Sequence, residues 1–105
     1  MKQKTYIVDI DGVIGKTRHI YKFTKHNVMK VKPNRKIINY FNYLKTFKKA
    51  KIIYFTARPF KSYLWTIQWF KKHNVLYDEL ITNKPLGDYY IDDRNLFVED
   101  INEKD

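Results

Sequence analysis

An apolar run, Tyr6-Ile7-Val8, leads directly into two carboxylates and a glycine, Asp9-Ile10-Asp11-Gly12. Ile7 and Val8 are β-branched and suit a strand. The carboxylates do not suit an apolar setting. Two like charges one residue apart repel, and burying them costs several kcal/mol unless a cation or firm hydrogen bonds offset it. A strand that ends this way points to a cation site at its C-terminal end, where open α/β sheets bind their ligands. A polar turn is the competing reading of Asp-x-Asp-Gly alone, because Asp and Gly are common turn residues. The rest of the chain decides between the two.

Two further apolar runs end in polar residues of special type. Lys51-Ile52-Ile53-Tyr54-Phe55 has the continuous pattern of a buried parallel strand and runs into Thr56-Ala57-Arg58-Pro59. Tyr89-Tyr90-Ile91 reads as a short strand that runs into Asp92-Asp93-Arg94. Leu76–Ile81 reads as another short strand, followed by the loop Asn83-Lys84-Pro85-Leu86-Gly87. Helical spacing lies between these runs. Ile37, Ile38, Phe41, Leu44 and Phe47 predict an amphipathic helix over 35–48, with Asn34 as its N-cap. Tyr63, Leu64, Ile67 and Phe70 predict a second helix, opened by Pro59 and closed at His73-Asn74. Trp65 and Trp69 sit four apart on that helix and read as packing residues. A short helix is expected over 95–101.

Residues 13–33 differ from the rest. They are basic and contain aromatics, with no clear periodicity, although Tyr21–Phe23 and Val28–Val31 are candidates for a small hairpin. So long an irregular connection is unusual in a compact domain and is often functional.

The order of elements predicts an α/β fold: a Rossmann-like three-layer sandwich on a small, mostly parallel sheet of about four strands. The expected strand order is third, second, first, fourth. At 105 residues the chain is read as one domain, 1–105, with 13–33 as a flap and no room for an inserted cap domain. In a parallel sheet Asp9/Asp11, Thr56 and Asp92/Asp93 share one edge. That convergence is far more specific than any one of the motifs.

Charge is unevenly placed. The net value is +10, made of +16 over residues 1–77 and −6 over residues 78–105. Asp9 and Asp11 are the only acids in the first block. Such a field attracts polyanions or small phosphorylated substrates. A Lys-rich solvated surface is the competing reading. The absence of cysteine excludes a disulfide framework and a cysteine-ligated metal, and it fits a reducing, cytoplasmic compartment. The apolar run before Asp9 is too short for a signal-peptide core or a membrane span.

Asp9-Ile10-Asp11-Gly12, Thr56 after an apolar strand, Lys84, and Asp92-Asp93 after a further strand resemble, in order, the four motifs of the haloacid dehalogenase-like superfamily. The resemblance spans residues 5–95. The segments Tyr77-Asp78-Glu79-Leu80, Asn83-Lys84-Pro85 and Tyr90-Ile91-Asp92-Asp93-Arg94 are similar to small members associated with capsular polysaccharide biosynthesis. The Ile-Asp-Asp-Arg ending is also similar to the phosphatase domain of phage polynucleotide kinases. Val13 departs from the pattern, since many members carry Thr there, at a position the chemistry does not need.

The resemblance implies a Mg²⁺-dependent phosphomonoester hydrolase of the minimal, cap-less type. Asp9 would be the nucleophile and form an aspartyl-phosphate. Asp11 would protonate the leaving alkoxide and then activate water, with a pKa raised towards neutrality. The implied Mg²⁺ ligands are the Asp9 carboxylate, the Asp11 backbone carbonyl and one of Asp92 and Asp93, with Asp93 favoured. The Thr56 hydroxyl and the Ala57 N–H would hold the transferring phosphoryl group, and Lys84 would neutralise charge on it and on Asp9. Arg58 would contact substrate or pack at the surface. Arg94 is read as structural, and His19, His26 and His73 as surface residues without metal-ligand spacing.

A binding module is the rival reading. In it, a catalytically weak version of the same fold docks nucleic acid or an acidic partner through the basic surface. The aromatic residues within the basic flap are ingredients of single-strand binding. The two retained acids favour the enzyme, because binding alone has no use for buried carboxylates.

Overall fold

The structure, a computed structural model, describes residues 2–17 and 22–85. The expected strand Tyr89–Ile91, the helix over 95–101, Asp92, Asp93, Arg94, His19 and Tyr21 lie outside the described residues.

Three strands form one parallel sheet: β1 (Thr5–Val8), β2 (Lys51–Phe55) and β3 (Glu79–Ile81). Their order is β1-β2-β3, which is the expected third-second-first arrangement read from the other edge. Three strands rather than about four are seen among the described residues. The register sets Tyr6 beside Ile52, Val8 beside Tyr54, and Tyr54 beside Leu80. Side chains alternate across a strand, so these five share one face. Val8, Ile52, Tyr54 and Leu80 are buried there and Tyr6 is half-buried.

Among the described residues three helices accompany the sheet: α1 (Lys25–Met29), α2 (Arg35–Phe47) and α3 (Tyr63–Lys72). A single 3₁₀ turn, Phe60–Ser62, leads into α3. The α2 stripe buries Ile37, Ile38, Phe41 and Leu44, as its spacing predicts, but leaves Phe47 exposed. On α3 the buried positions are Thr66, Trp69 and Phe70. Leu64, read as part of the apolar face, points outward instead.

Both long helices cover the same face of the sheet. Phe41 of α2 meets Tyr6 edge-on at 6.1 Å, and Phe70 of α3 meets Tyr54 at 5.2 Å. The reason is topological. Parallel crossovers are right-handed, and two in succession that step the same way along a sheet must lie on one side of it. The described residues therefore make two layers, not the three of the sandwich expected. Ile7, Ile53, Phe55 and Ile81 line the opposite face, which carries no helix among the described residues.

Asp78 secures the entry to β3. Its Oδ2 accepts the Ile52 N–H at 2.8 Å, its own N–H donates to the Ile52 carbonyl at 2.8 Å, and Lys45 Nζ donates to Oδ1 at 2.7 Å. One side chain thus joins α2, β2 and β3. Asn34 stands at the N-cap of α2 as expected, but it makes no side-chain cap bond. Its N–H donates instead to the Ile14 carbonyl at 2.7 Å, which ties the helix start to the flap.

The flap holds a short helix where a hairpin was a candidate. Residues Lys25–Met29 turn helically because Thr24 Oγ1 accepts the Asn27 N–H at 3.2 Å, an N-cap bond, and Val28 drops into the core. Five residues are too few to display a helical period. The flap is anchored at both ends. The Lys16 N–H donates to the Lys32 carbonyl at 2.8 Å, and fully buried Trp69 donates its indole N–H to the Val31 carbonyl at 2.9 Å. Trp69 is a packing residue, as its spacing suggests, with this polar contact added. Among the described residues no helix is long and apolar enough to cross a membrane.

Candidate active site

The chain leaves β1 at Asp9 and turns at once. The N–H groups of Val13, Ile14 and Gly15 all converge on the Ile10 carbonyl, at 3.1, 3.0 and 3.0 Å. Gly12 sits in this corner with φ +86°, a left-handed conformation that favours glycine, and its N–H donates to the Gly15 carbonyl at 2.8 Å. The corner buries Ile10 and Ile14 while turning Asp9 and Asp11 to the C-terminal edge of the sheet.

The chain leaves β2 on the same edge. Thr56 N–H pairs with the Ile81 carbonyl at 2.9 Å, and Thr56 Oγ1 accepts the Arg58 N–H at 3.2 Å, closing a tight turn around Ala57. The β3 exit folds back on this turn. Asn83, at φ +61°, donates its N–H to the Arg58 carbonyl at 3.0 Å, and Lys84 donates its N–H to the Thr56 carbonyl at 2.9 Å. Asp9, Asp11, Thr56, Ala57, Arg58 and Lys84 are thereby gathered on one edge, from three separate passes of the chain.

Asp9 is half-buried, and its Oδ1 accepts the Ile10 N–H at 2.9 Å. Burial pushes its carboxyl above the ordinary aspartate value, and the Asp11 charge adds to that push. Lys84, the Ile10 N–H and Arg58 act in the opposite direction. The ammonium of Lys84 also lies 5.5 Å from the centre of the Phe55 ring.

Arg58 departs from its sequence expectation. It was expected on substrate or packed at the surface, yet it is 1% exposed. Its guanidinium grips Asp11 with two bonds, Nε to Oδ2 at 3.0 Å and Nη2 to Oδ1 at 2.7 Å. Its Nη1 donates to Thr66 Oγ1 at 3.1 Å, and Thr66 donates in turn to the Ser62 carbonyl at 2.9 Å. Phe23 of the flap covers the guanidinium at 5.8 Å. A fork of this geometry holds a carboxylate's orientation as well as its charge. It leaves Arg58 no accessible surface for a substrate. The sequence signal for this role is slight: an arginine two residues after the strand-end threonine, with Thr66 one helical turn beyond Ser62.

Thr56 is likewise buried, with its hydroxyl oxygen engaged by the turn. The Ala57 N–H makes no hydrogen bond among the described residues. Of the residues expected to surround a cation, Asp9 and Asp11 lie together, while Asp92 and Asp93 fall outside the described residues. Among the described residues no cluster of three or more His, Cys, Asp or Glu side chains occurs. The donors that remain, the Asp9 carboxylate and the Asp11 carbonyl, are all oxygen, as Mg²⁺ prefers. Burial of Asp9 is also a penalty that a bound cation would relieve. The residues present fit such an ion. His26 is exposed and His73 is half-buried against Trp69, their ring centres 4.6 Å apart.

No family model matches the chain, and no curated protein matches it. Solved structures do. A crystal structure of an MCSG target from Vibrio cholerae aligns with a TM-score of 0.75 at 25% identity, covering 92% of this chain and 85% of that one. A chain of the Pnkp1/Rnl/Hen1 complex aligns with a TM-score of 0.59 at 22% identity, covering 86% of this chain and 30% of that one. The present chain therefore has a small α/β fold that also occurs within a much longer polypeptide.

Proposed function

We propose that this protein is a Mg²⁺-dependent phosphomonoester hydrolase of the haloacid dehalogenase-like type. The observation that carries this reading is the convergence of Asp9, Asp11, Thr56 and Lys84 on the C-terminal edge of a parallel sheet. Phosphoryl transfer asks for an in-line nucleophile, positive charge on the equatorial oxygens and an acid for the leaving group, and these residue types supply them.

In this mechanism Asp9 attacks phosphorus through a carboxylate oxygen. The ester P–O bond breaks, and Asp11, in a protonated form that keeps Arg58 on one oxygen only, gives its proton to the departing alkoxide. Water then attacks the aspartyl-phosphate on Asp9, Asp11 takes up the proton released, and phosphate leaves. Arg58 keeps Asp11 pointing at the leaving-group side throughout, so its role is positioning. Lys84 offsets charge on Asp9 and on the bound phosphoryl group, and the Ala57 N–H donates to one of its oxygens. Asp9, the Asp11 carbonyl and one of Asp92 and Asp93 would hold Mg²⁺, which when bound would neutralise charge on the phosphoryl oxygens.

The test is hydrolysis of p-nitrophenyl phosphate with Mg²⁺ and after chelation, for the wild type and Asp9→Asn. Loss of turnover in both the chelated protein and the variant is expected. Turnover that survives Asp9→Asn would remove the mechanism. A second reading, docking without turnover, is supported by the +16 charge over residues 1–77. Salt-sensitive oligonucleotide binding with no hydrolysis of any phosphomonoester would favour it.

A further inference from the structure

The loop that carries Thr56 and Arg58 opens directly onto exposed aromatic surface. Pro59 alone separates Arg58 from Phe60, so their Cα atoms lie within about 7.6 Å. Phe60 is 69% exposed and stacks on Tyr63, with ring centres 5.8 Å apart and planes 27° from parallel. Leu64, one turn on, is also 69% exposed. A lone exposed aromatic needs no explanation, but a contiguous apolar strip beside a charged site marks a contact surface. Nothing within the described residues covers this strip.

Its electrostatic setting narrows the partner. Lys61 stands within the strip, and Lys22 and Lys25 flank Phe23, the flap residue that covers Arg58. From residue 2 to residue 77 the only acids are Asp9 and Asp11, both in the site. A partner bound here must carry negative charge and offer a flat apolar face. A nucleic-acid single strand has both, since its backbone is anionic and every base can stack on an aromatic side chain. We infer that Phe60 and Tyr63 form a stacking platform for the terminal base of a single-stranded nucleic acid. The end phosphomonoester of that strand would then enter the Asp9 site. This rests on the phosphatase reading above and adds its substrate class.

The experiment compares kcat/KM for p-nitrophenyl phosphate with that for single-stranded oligonucleotides bearing a 3′- or a 5′-phosphate. It uses the wild type, Phe60→Ala and Phe60→Trp, and follows oligonucleotide binding by fluorescence anisotropy. Wild type is expected to prefer one oligonucleotide end. In Phe60→Ala that preference should drop about tenfold, through KM, and Phe60→Trp should restore it. If the wild type hydrolyses both substrate types and Phe60→Ala changes their ratio less than twofold, the platform is overturned and the phosphatase reading stands. If nothing is hydrolysed, the phosphatase reading fails and anisotropy decides: weaker oligonucleotide binding by Phe60→Ala supports the platform, and equal or absent binding overturns it. Binding to anionic vesicles in place of oligonucleotides would also overturn it.

Discussion

Arg58 and Asp11 are 47 residues apart in sequence and joined by two hydrogen bonds, at 3.0 and 2.7 Å. The arginine side chain has no accessible surface, while the aspartate keeps a quarter of its own. The contact joins the corner after β1 to the turn after β2, and through Thr66 it reaches α3. Removing the aspartate strands a buried cation. Asp11→Ala is expected to cost about 3 kcal/mol of stability, which thermal melts would show as a drop in Tm of more than about 10 °C. A Tm within about 2 °C of wild type would mean that the pair does not hold this edge together.

Asp9 behaves in the opposite sense. Burial raises its folded pKa above the unfolded value. Stability from such a group is fully present below the unfolded pKa and is lost as pH rises through the folded one. Near neutrality the ionised carboxylate therefore opposes folding, and Asp9→Asn should raise Tm while abolishing turnover. Mg²⁺ should raise the Tm of the wild type more than that of Asp9→Asn. Equal shifts in the two proteins would place the cation elsewhere.

Asp78 predicts an acid limb of stability. The hydrogen bond from Lys45 holds its carboxyl below the usual range, and the Ile52 N–H and the charges of Lys45 and Lys51 act the same way, against some burial. A lowered folded pKa contributes stability that is present above the unfolded value, about 3.9, and lost as pH falls through the folded one. Asp78→Ala should cost about 1–2 kcal/mol near neutral pH by urea titration. Its stability should also fall less steeply than the wild type's below about pH 4.

Trp69→Phe removes the indole N–H and leaves the Val31 carbonyl without that donor. The expected loss is about 2 kcal/mol, with faster limited proteolysis within residues 22–33. Proteolysis unchanged from wild type would show that the Trp69 indole bond does not hold the flap.

The clustering of Asp9, Asp11 and Thr56 was legible in the sequence because a parallel sheet sends every strand end to the same edge; Lys84 entered only through the family resemblance, and Asp92 and Asp93 lie outside the described residues. Polar residues at the ends of apolar runs are enough to place that edge. The role of Arg58 was not legible, because it depends on a contact across 47 residues and on Thr66, whose spacing says only that it lies on a helix. The single-sided helices follow from strand order and handedness together, and an order read without its hand leaves the layers undecided. Lys25–Met29 was missed because a helix of five residues, fixed by one capping threonine and one buried valine, is shorter than the window in which a period can be seen.

Gly12 bears on how the site could be rebuilt. A Cβ added there meets nothing within 4 Å, yet the φ of +86° is one that L side chains rarely adopt. The corner that turns both carboxylates to the edge thus discriminates by handedness and not by size. Chemical synthesis could exploit this: D-alanine at position 12 should fold as glycine does or better, whereas L-alanine should lose about 1 kcal/mol.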